Sequence, residues 1–189
     1  GYLILETLKA IQNRNSVAHL AEPAPSIEEM KQVYKGALRA PDHAWLRPWQ
    51  FIEIRGNARK RLSDSFIKAS ISSGEEMTDE LMEKLQNAPF RAPMVIVLAA
   101  DIKEHHKVPE IEQIISLGAS AQNILLGLHD IGYSAIWRTG KMAFNKHITN
   151  ALELPSNYEV IGYLYVGTPS GRIKSLPELE LDDHLTRWE

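Results

Sequence analysis

One short polar segment has the residue types that hold a phosphorylated ligand. Arg14-Asn15-Ser16 lies at the end of a predicted helix. The planar guanidinium group of arginine offers a fork of donors that suits phosphate, and the serine and asparagine side chains can bond a sugar-alcohol chain. A polar helix end explains the same three residues equally well. The segment alone therefore leaves a ligand site and a simple helix cap both open.

Two further segments combine donors with a constrained backbone. In Arg39-Ala40-Pro41-Asp42-His43 the proline stiffens the turn, which leaves Arg39 and His43 about one turn apart. Trp137-Arg138-Thr139-Gly140 directly follows a predicted strand, and ligands often bind at such loops. A helix-ending arginine, a solvated histidine and a core tryptophan are the structural alternatives. A metal site at His43 lacks a visible ligand partner, so no metal is predicted.

The motifs that the sequence lacks narrow the chemistry. It contains no Gly-x-Gly-x-x-Gly after a strand, no Walker loop, no Gly-x-Ser-x-Gly elbow and no His-Glu-x-x-His. It has no cysteine, which excludes disulfides, thiolate metal sites and cysteine nucleophiles. If the protein is an enzyme, a bound cofactor therefore carries the difficult chemistry.

The composition is that of an ordinary globular protein. The chain has 189 residues, of which 44% are hydrophobic, and a formal net charge of -3. This length predicts one domain over residues 1–189. The absence of a basic block argues against nucleic acid. No apolar run is long enough for a membrane helix, and the N-terminal residues lack signal-peptide features, so we expect a cytoplasmic protein.

Helices and strands alternate along the chain, but the long helix and the C-terminal tail favour an α+β layered sheet over a Rossmann fold. The first predicted helix carries Ile4, Leu5, Leu8 and Ile11 on one stripe. Small residues, Gly118-Ala119-Ser120-Ala121, interrupt the longest helix, which is therefore central or part of a subunit interface. Gly167-Thr168-Pro169 opens a polar tail. The predicted helices span 2–13, 26–40, 57–70, 79–87, 109–132 and 144–153, and the predicted strands span 49–54, 94–99, 133–137 and 159–166.

Taken together in order and spacing, these segments resemble the FMN-dependent nitroreductase family, particularly its compact single-domain bacterial members. The resemblance is collinear over nearly the whole chain. The matching segments are Arg14-x-Ser16, Leu20 to Pro25, Arg39 to His43, Pro48 to Phe51, Asn87 to Pro93, His106 to Pro109, Ile136 to Gly140 and Gly162 to Pro169.

The resemblance implies a central mixed or antiparallel sheet flanked by helices, and a homodimer formed through long helices with FMN at the subunit interface. It implies that Arg14, Asn15 and Ser16 hold the ribityl phosphate and ring edge. Arg39 and His43 would contact the flavin from the partner subunit. The remaining residues that the resemblance implies are Trp137, Arg138 and Thr139 in the flavin pocket, and Gly127, Leu128, His129, Asp130, Ile131 and Gly132 at the nicotinamide nucleotide.

The resemblance also implies an activity. NADH or NADPH would reduce the flavin in a ping-pong cycle, and a nitroaromatic, a quinone or a similar acceptor would then take the electrons. No side chain is required as an obligatory base, so no catalytic residue is named. The alternatives are a flavin-binding module without turnover, and a hydrolase or metal enzyme that uses His43, His105, His106 or Ser16.

This chain departs from the family pattern at two positions. Asn15 and Ala18 stand where relatives usually carry basic residues, which predicts a flavin site with reduced positive charge on this side. Arg172 and Lys174 in the tail could reach the phosphate, but they are predicted as surface residues by default. Residues 71–90 are predicted to form a lid that selects substrates.

Overall fold

The structure, a computed structural model, describes the backbone of residues 2–189 and the side chains of residues 6–189. Gly1, within the predicted domain, and the predicted helix-face side chains of Ile4 and Leu5 lie outside the described residues. The α-helices are α1 (Tyr2–Asn13), α2 (Ile27–Ala37), α3 (Ala58–Ser72), α4 (Asp79–Asn87), α5 (Glu110–Asp130) and α6 (Lys146–Ala151). The strands are β1 (Leu20–Ala21), β2 (Trp49–Arg55), β3 (Met94–Asp101), β4 (Ser134–Arg138) and β5 (Tyr158–Pro169).

The strands form one antiparallel sheet. Its order is β1-β5-β3-β2, and β4 also pairs with β5. The prediction that the last strand ends at residue 166 is wrong, because β1 extends the pairing: Leu20 lies opposite Pro169 and Ala21 opposite Thr168. The polar tail therefore begins after Pro169, and no strand was predicted at the two residues of β1.

The sheet separates two apolar clusters. All side chains from Met94 to Ala100 are buried, which confirms β3 as a central strand. Because neighbouring side chains alternate between faces, Ile96 packs with α2 and α5, whereas Val97 packs with α3 and α6. The α+β layered fold predicted from the sequence is thus confirmed.

Polar side chains of α5 hold α2 and the loop that follows it. The hydroxyl groups of Ser116 and Ser120 donate to the carbonyl oxygens of Pro41 and Ala37, at 2.6 and 2.8 Å. Ser120 is completely buried, so its hydrogen bond satisfies two groups that water cannot reach. These bonds fix the position of residues 39–43 against α5.

Two predicted helix ends differ from the structure. The predicted helix 144–153 is shorter because Phe144 has a φ of 58° and Asn145 caps α6, accepting from the amide of Ile148 at 3.1 Å. Pro109 is the cap of α5 rather than its first helical residue, with φ -68° and ψ 160°. Within residues 2–189, no helix combines the length and the apolar character that crossing a membrane requires.

Candidate functional site

Asn15 and Ser16 lie beside the edge strand β4. The amide of Arg14 donates to the carbonyl of Ala10 at 3.0 Å and ends α1. The chain then runs alongside β4, where Ser16 forms a parallel bridge with Ala135 and the amide of Val17 donates to the carbonyl of Ala135 at 3.1 Å. This pairing places Ser16 next to Ile136, the following residue of β4.

The C-terminal tail covers the same segment. The amide of Ser170 donates to the carbonyl of His19 at 2.9 Å, which continues the β1–β5 pairing into the tail. Gly171 adopts a φ of 73° there, a conformation that favours glycine. Further along, the Asn15 side-chain amide donates to the carbonyl of Lys174 at 2.8 Å. Asn15 therefore fastens the tail across the end of α1.

Between the tail and β4 lies a cavity of about 1180 Å³, which we call the tail cavity. Its charged side chains at neutral pH are Arg172 and Lys174, and no Asp or Glu is among the described residues that line it. The tail cavity thus presents cations, amides and hydroxyls to a ligand. It is lined by residues 15–19, Ile136 and residues 170–175.

The surface positions predicted for Arg172 and Lys174 are confirmed. Both side chains are exposed, but both line the tail cavity beside Asn15 and Ser16. The two basic residues supply positive charge close to the position where Asn15 lacks it.

Arg138 and Thr139 open on a different cavity, of about 370 Å³, which we call the basic cavity. Ile136 and Arg138 are two residues apart on β4, so both side chains lie on one face of the strand, separated by about 7 Å. The two cavities therefore follow one another along β4. Among the residues that line the basic cavity are Phe66, Lys84, Arg91, Arg138, Lys141 and Tyr165.

The Arg138 guanidinium group lacks an anionic partner among the described residues. Its Cζ lies 5.6 Å from the ring centre of Tyr165, and its buried Nε has no hydrogen-bond partner in that part of the chain. A buried donor without a partner is costly, and ligand sites are places where such a group is satisfied by the ligand.

The side chain of Trp137 lies on the opposite face of β4 from those of Ile136 and Arg138. Its ring packs with the core on the α2 and α5 side of the sheet. A Cβ atom added to Gly162 would lie 2.2 Å from its Nε1, so only glycine fits beneath this ring. The indole of Trp137 packs against the core, and its predicted place in the flavin pocket stays a prediction.

Arg39 and His43 are not among the described residues that line the tail cavity. The Nδ1 atom of His43 lies 3.2 Å from Oε2 of Glu112 on α5, and both side chains are about half exposed. Arg39 is also exposed, just after α2. Their predicted contact with a ligand bound by the partner subunit stays a prediction.

Residues 127–132 form the last turn of α5 and its cap. An added Cβ at Gly127 would lie 3.3 Å from the Val33 side chain, Leu128 is completely buried, and Gly132 has a φ of 89°. Packing and helix termination account for these three residues. The predicted role of the segment at the nicotinamide nucleotide stays a prediction.

The histidines proposed as metal ligands form no ligand cluster. His105 and His106 stack on each other, with ring centres 4.7 Å apart. In the described part of the chain, no three His, Asp or Glu side chains are grouped so that they could hold a metal ion.

Comparison with known proteins identifies the class. The Nitroreductase family model matches residues 11–168. YdjA of Escherichia coli K12, provisionally named as an NAD(P)H nitroreductase, is 34% identical over 179 residues, covering 95% of this chain and 96% of that protein. A Haemophilus influenzae protein with a similar provisional name is 30% identical, and the match covers 87% of this chain and 89% of that protein. The chain therefore belongs to the nitroreductase family of oxidoreductases.

Solved structures share the fold. The nitroreductase-like family protein of Bacillus cereus superposes with a TM-score of 0.82 at 19% identity, covering 97% of this chain and 96% of that chain. A Bacteroides fragilis nitroreductase solved with bound FMN superposes with a TM-score of 0.74 at 17% identity, covering 98% of each chain. These likenesses confirm the nitroreductase-like fold expected from the sequence.

Proposed function

We propose that this protein binds FMN in the tail cavity, oxidises NADH or NADPH, and passes the electrons to a nitroaromatic, a quinone or a similar acceptor. The observation that carries the proposal is the donor set of the tail cavity: Arg172, Lys174, Ser16 and Asn15, with no carboxylate among the described residues around it. Membership of the nitroreductase family and the bound FMN of the Bacteroides fragilis relative support it.

The residues present fit the cofactor in charge and in hydrogen-bonding groups. Arg172 and Lys174 would hold the phosphate, because arginine and lysine bind phosphate through charge-assisted hydrogen bonds. Arg14, Asn15 and Ser16 would bond the phosphate and ribityl chain. From there the face of β4 leads towards Arg138 and Thr139, and the ring edge would lie along this path. When bound, FMN accepts a hydride and gives electrons to a second substrate.

The protein's part in the reaction is to bind and orient. We propose a ping-pong cycle in which the donor leaves before the acceptor enters the same cleft beside β4. No side chain is assigned as an acid or base, because the transfer needs none. Residues 127–132 are our candidate contact for the nicotinamide nucleotide.

We further propose that residues 1–189 form one domain that acts as a homodimer through the uncovered face of α5. Ile111 and Ile115, four residues apart, are 60% and 63% exposed, and a Cβ added to Gly118 would meet no atom within 4 Å. These three residues share one helix face by their spacing. His43 lies beside α5, so a partner packed there would bring its own Arg39 and His43 towards the shared site.

Steady-state kinetics of the FMN-loaded protein test this function. Initial rates measured against NADPH or NADH at several acceptor concentrations should give parallel lines in double-reciprocal plots. Intersecting lines would contradict the ping-pong cycle. A protein that binds FMN but oxidises neither nucleotide with any acceptor would be a flavin-binding module rather than an enzyme.

A further inference from the structure

The basic cavity carries an excess of positive charge. Four cationic side chains line it, Lys84, Arg91, Arg138 and Lys141, against the single carboxylate of Glu75. Of these four, only Lys141 forms an ion pair within residues 2–189: its Nζ lies 2.7 Å from Oε1 of Glu75. That bond and a second one from Ser70 hold the pKa of Glu75 below its usual range. Three cations therefore remain unbalanced around one small space.

The floor of the basic cavity is a phenol beside a guanidinium group. Tyr165 is only 4% exposed, and its hydroxyl makes no hydrogen bond within the described part of the chain. Arg91 and Arg138 line the same cavity as Tyr165. Burial raises the pKa of Tyr165, while these two cations act in the opposite direction. A neutral O–H donor and two guanidinium groups together form a binding site for an anion.

The walls of the basic cavity are apolar and partly aromatic. Phe66 meets Tyr163 edge-on, with ring centres 5.2 Å apart, and Leu85 and Met142 complete the walls. A volume of about 370 Å³ lies at the small end of the range for ligand pockets. The space suits one ring with one anionic substituent, and a dinucleotide would exceed it.

We propose that the basic cavity binds the carboxylate of a small aromatic acid, and that such an acid is an electron acceptor of this protein. A carboxylate matches the planar fork of arginine, and its charge offsets that of Arg138 and Arg91. Because the two cavities follow one another along β4, the ring of an acid bound in the basic cavity would lie towards the end of the tail cavity. The role as acceptor rests on the proposed function; the binding of the acid does not.

The probe reaction is balanced as follows. The nitro group of 4-nitrobenzoate takes two electrons and two protons, loses one oxygen atom as water and becomes a nitroso group. NADPH supplies the hydride and is oxidised to NADP⁺, and solvent supplies the second proton. The carboxylate is unchanged and serves only for recognition.

Direct binding tests the recognition without turnover. In calorimetric titrations of the FMN-loaded protein, benzoate should bind and neutral benzamide should bind at least about tenfold more weakly, the low end of the contribution of a charge-assisted hydrogen bond. Arg91→Gln and Tyr165→Phe should each weaken benzoate binding, and Lys84→Gln with Arg91→Gln should weaken it further. Lys68→Gln removes an exposed cation of α3 outside the cavity and is the matched control.

Kinetics then test the role as acceptor. The kcat/KM for 4-nitrobenzoate should exceed that for 4-nitrobenzamide. Arg91→Gln should reduce the ratio of the two values towards one, whereas Lys68→Gln should leave both values unchanged. The inference would be overturned if 4-nitrobenzoate and 4-nitrobenzamide had equal kcat/KM values. It would also be overturned if the Arg91 and Lys84 variants bound benzoate as tightly as the unchanged protein. Displacement of benzoate by an equal concentration of inorganic phosphate would overturn it as well. If benzoate binds as predicted but 4-nitrobenzoate is not reduced, the role as acceptor fails and the recognition stands. If neither nucleotide reduces the bound FMN, the proposed function itself fails.

Discussion

Arg172 and Lys174 are the side chains on which phosphate binding depends most in this account. Arg172→Gln and Lys174→Gln should each raise the Kd of FMN by about tenfold, since a charge-assisted hydrogen bond contributes about 1.5–3 kcal/mol and both residues are exposed. The effect should shrink as salt screens the charge. Fluorescence titration at two ionic strengths measures both quantities.

Arg187 provides the control for these two variants. It is an exposed cation on the same tail but does not line the tail cavity. Arg187→Gln should leave the Kd of FMN unchanged. If all three substitutions weaken binding equally, the tail acts through its overall charge and not through contacts at residues 172 and 174.

Asn15 has a positional role that the sequence did not indicate. Its side-chain amide donates to the Lys174 carbonyl at 2.8 Å, so Asn15→Ala should release the tail from the end of α1. We expect faster proteolysis within residues 170–175 and weaker FMN binding in this variant. Limited proteolysis with mass spectrometry follows the first effect. An Asn15→Ala protein with an unchanged cleavage rate would show that the tail is held by other contacts.

The candidate site could be predicted from sequence only where its residues are neighbours in the chain. Asn15 and Ser16 form one such segment, and Arg138 and Thr139 form another. The contribution of Arg172 and Lys174 depends on the pairing of a two-residue strand, Leu20–Ala21, with the end of β5. Two residues are too few to show an alternating pattern, so this contact between distant parts of the chain left no local signal.

At the scale of the elements, most of the fold could be predicted from sequence patterns that extend over a whole helix turn or a whole strand. The capping box at Ser26 and Glu29 fixed the start of α2, and the apolar run from Met94 marked a buried strand. The errors fall at element ends, where a single residue decides. Phe144 has a positive φ, so α6 begins after it and is shorter than the predicted helix 144–153. Helical periodicity does not reveal such a conformation.

Tyr34 links α2 to β2 and predicts how stability depends on pH. Its hydroxyl donates to Oε2 of Glu53 at 2.5 Å. Burial first, and then this bond, raise the pKa of Tyr34 far above its ordinary value of 10. Because the folded state favours the neutral phenol, its contribution is complete below pH 10 and is lost as the pH rises further.

Tyr34→Phe should therefore reduce the steepness with which the free energy of unfolding falls above pH 10, by about 1.4 kcal/mol per pH unit. Denaturant unfolding at several alkaline pH values measures this slope. Tyr133→Phe is the comparison, because the hydrogen bond to Glu29, and not burial, is the main cause of the raised pKa of Tyr133, and this variant should change the slope less. Equal slopes in the wild type and Tyr34→Phe would contradict the coupling.

At the scale of the whole molecule, the uncovered face of α5 predicts the assembly. Ile115→Glu places a charge where a second copy would bury an apolar side chain, and an unpaired buried charge is strongly unfavourable. We expect a monomer by light scattering after size exclusion, with weaker FMN binding, since Arg39 and His43 of the partner would be lost. Ile71→Glu, at a similarly exposed isoleucine of α3, should remain dimeric. A dimeric Ile115→Glu protein would place the interface elsewhere.

The central claim is that this chain binds FMN and reduces it with a nicotinamide nucleotide. Anaerobic addition of NADPH, and separately of NADH, to the FMN-loaded protein tests it most directly. The account predicts that at least one nucleotide abolishes the visible flavin absorbance, and that a neutral nitroaromatic such as 4-nitrobenzamide restores it. A chain that stays colourless after incubation with FMN, or a bound flavin that neither nucleotide bleaches, would contradict it.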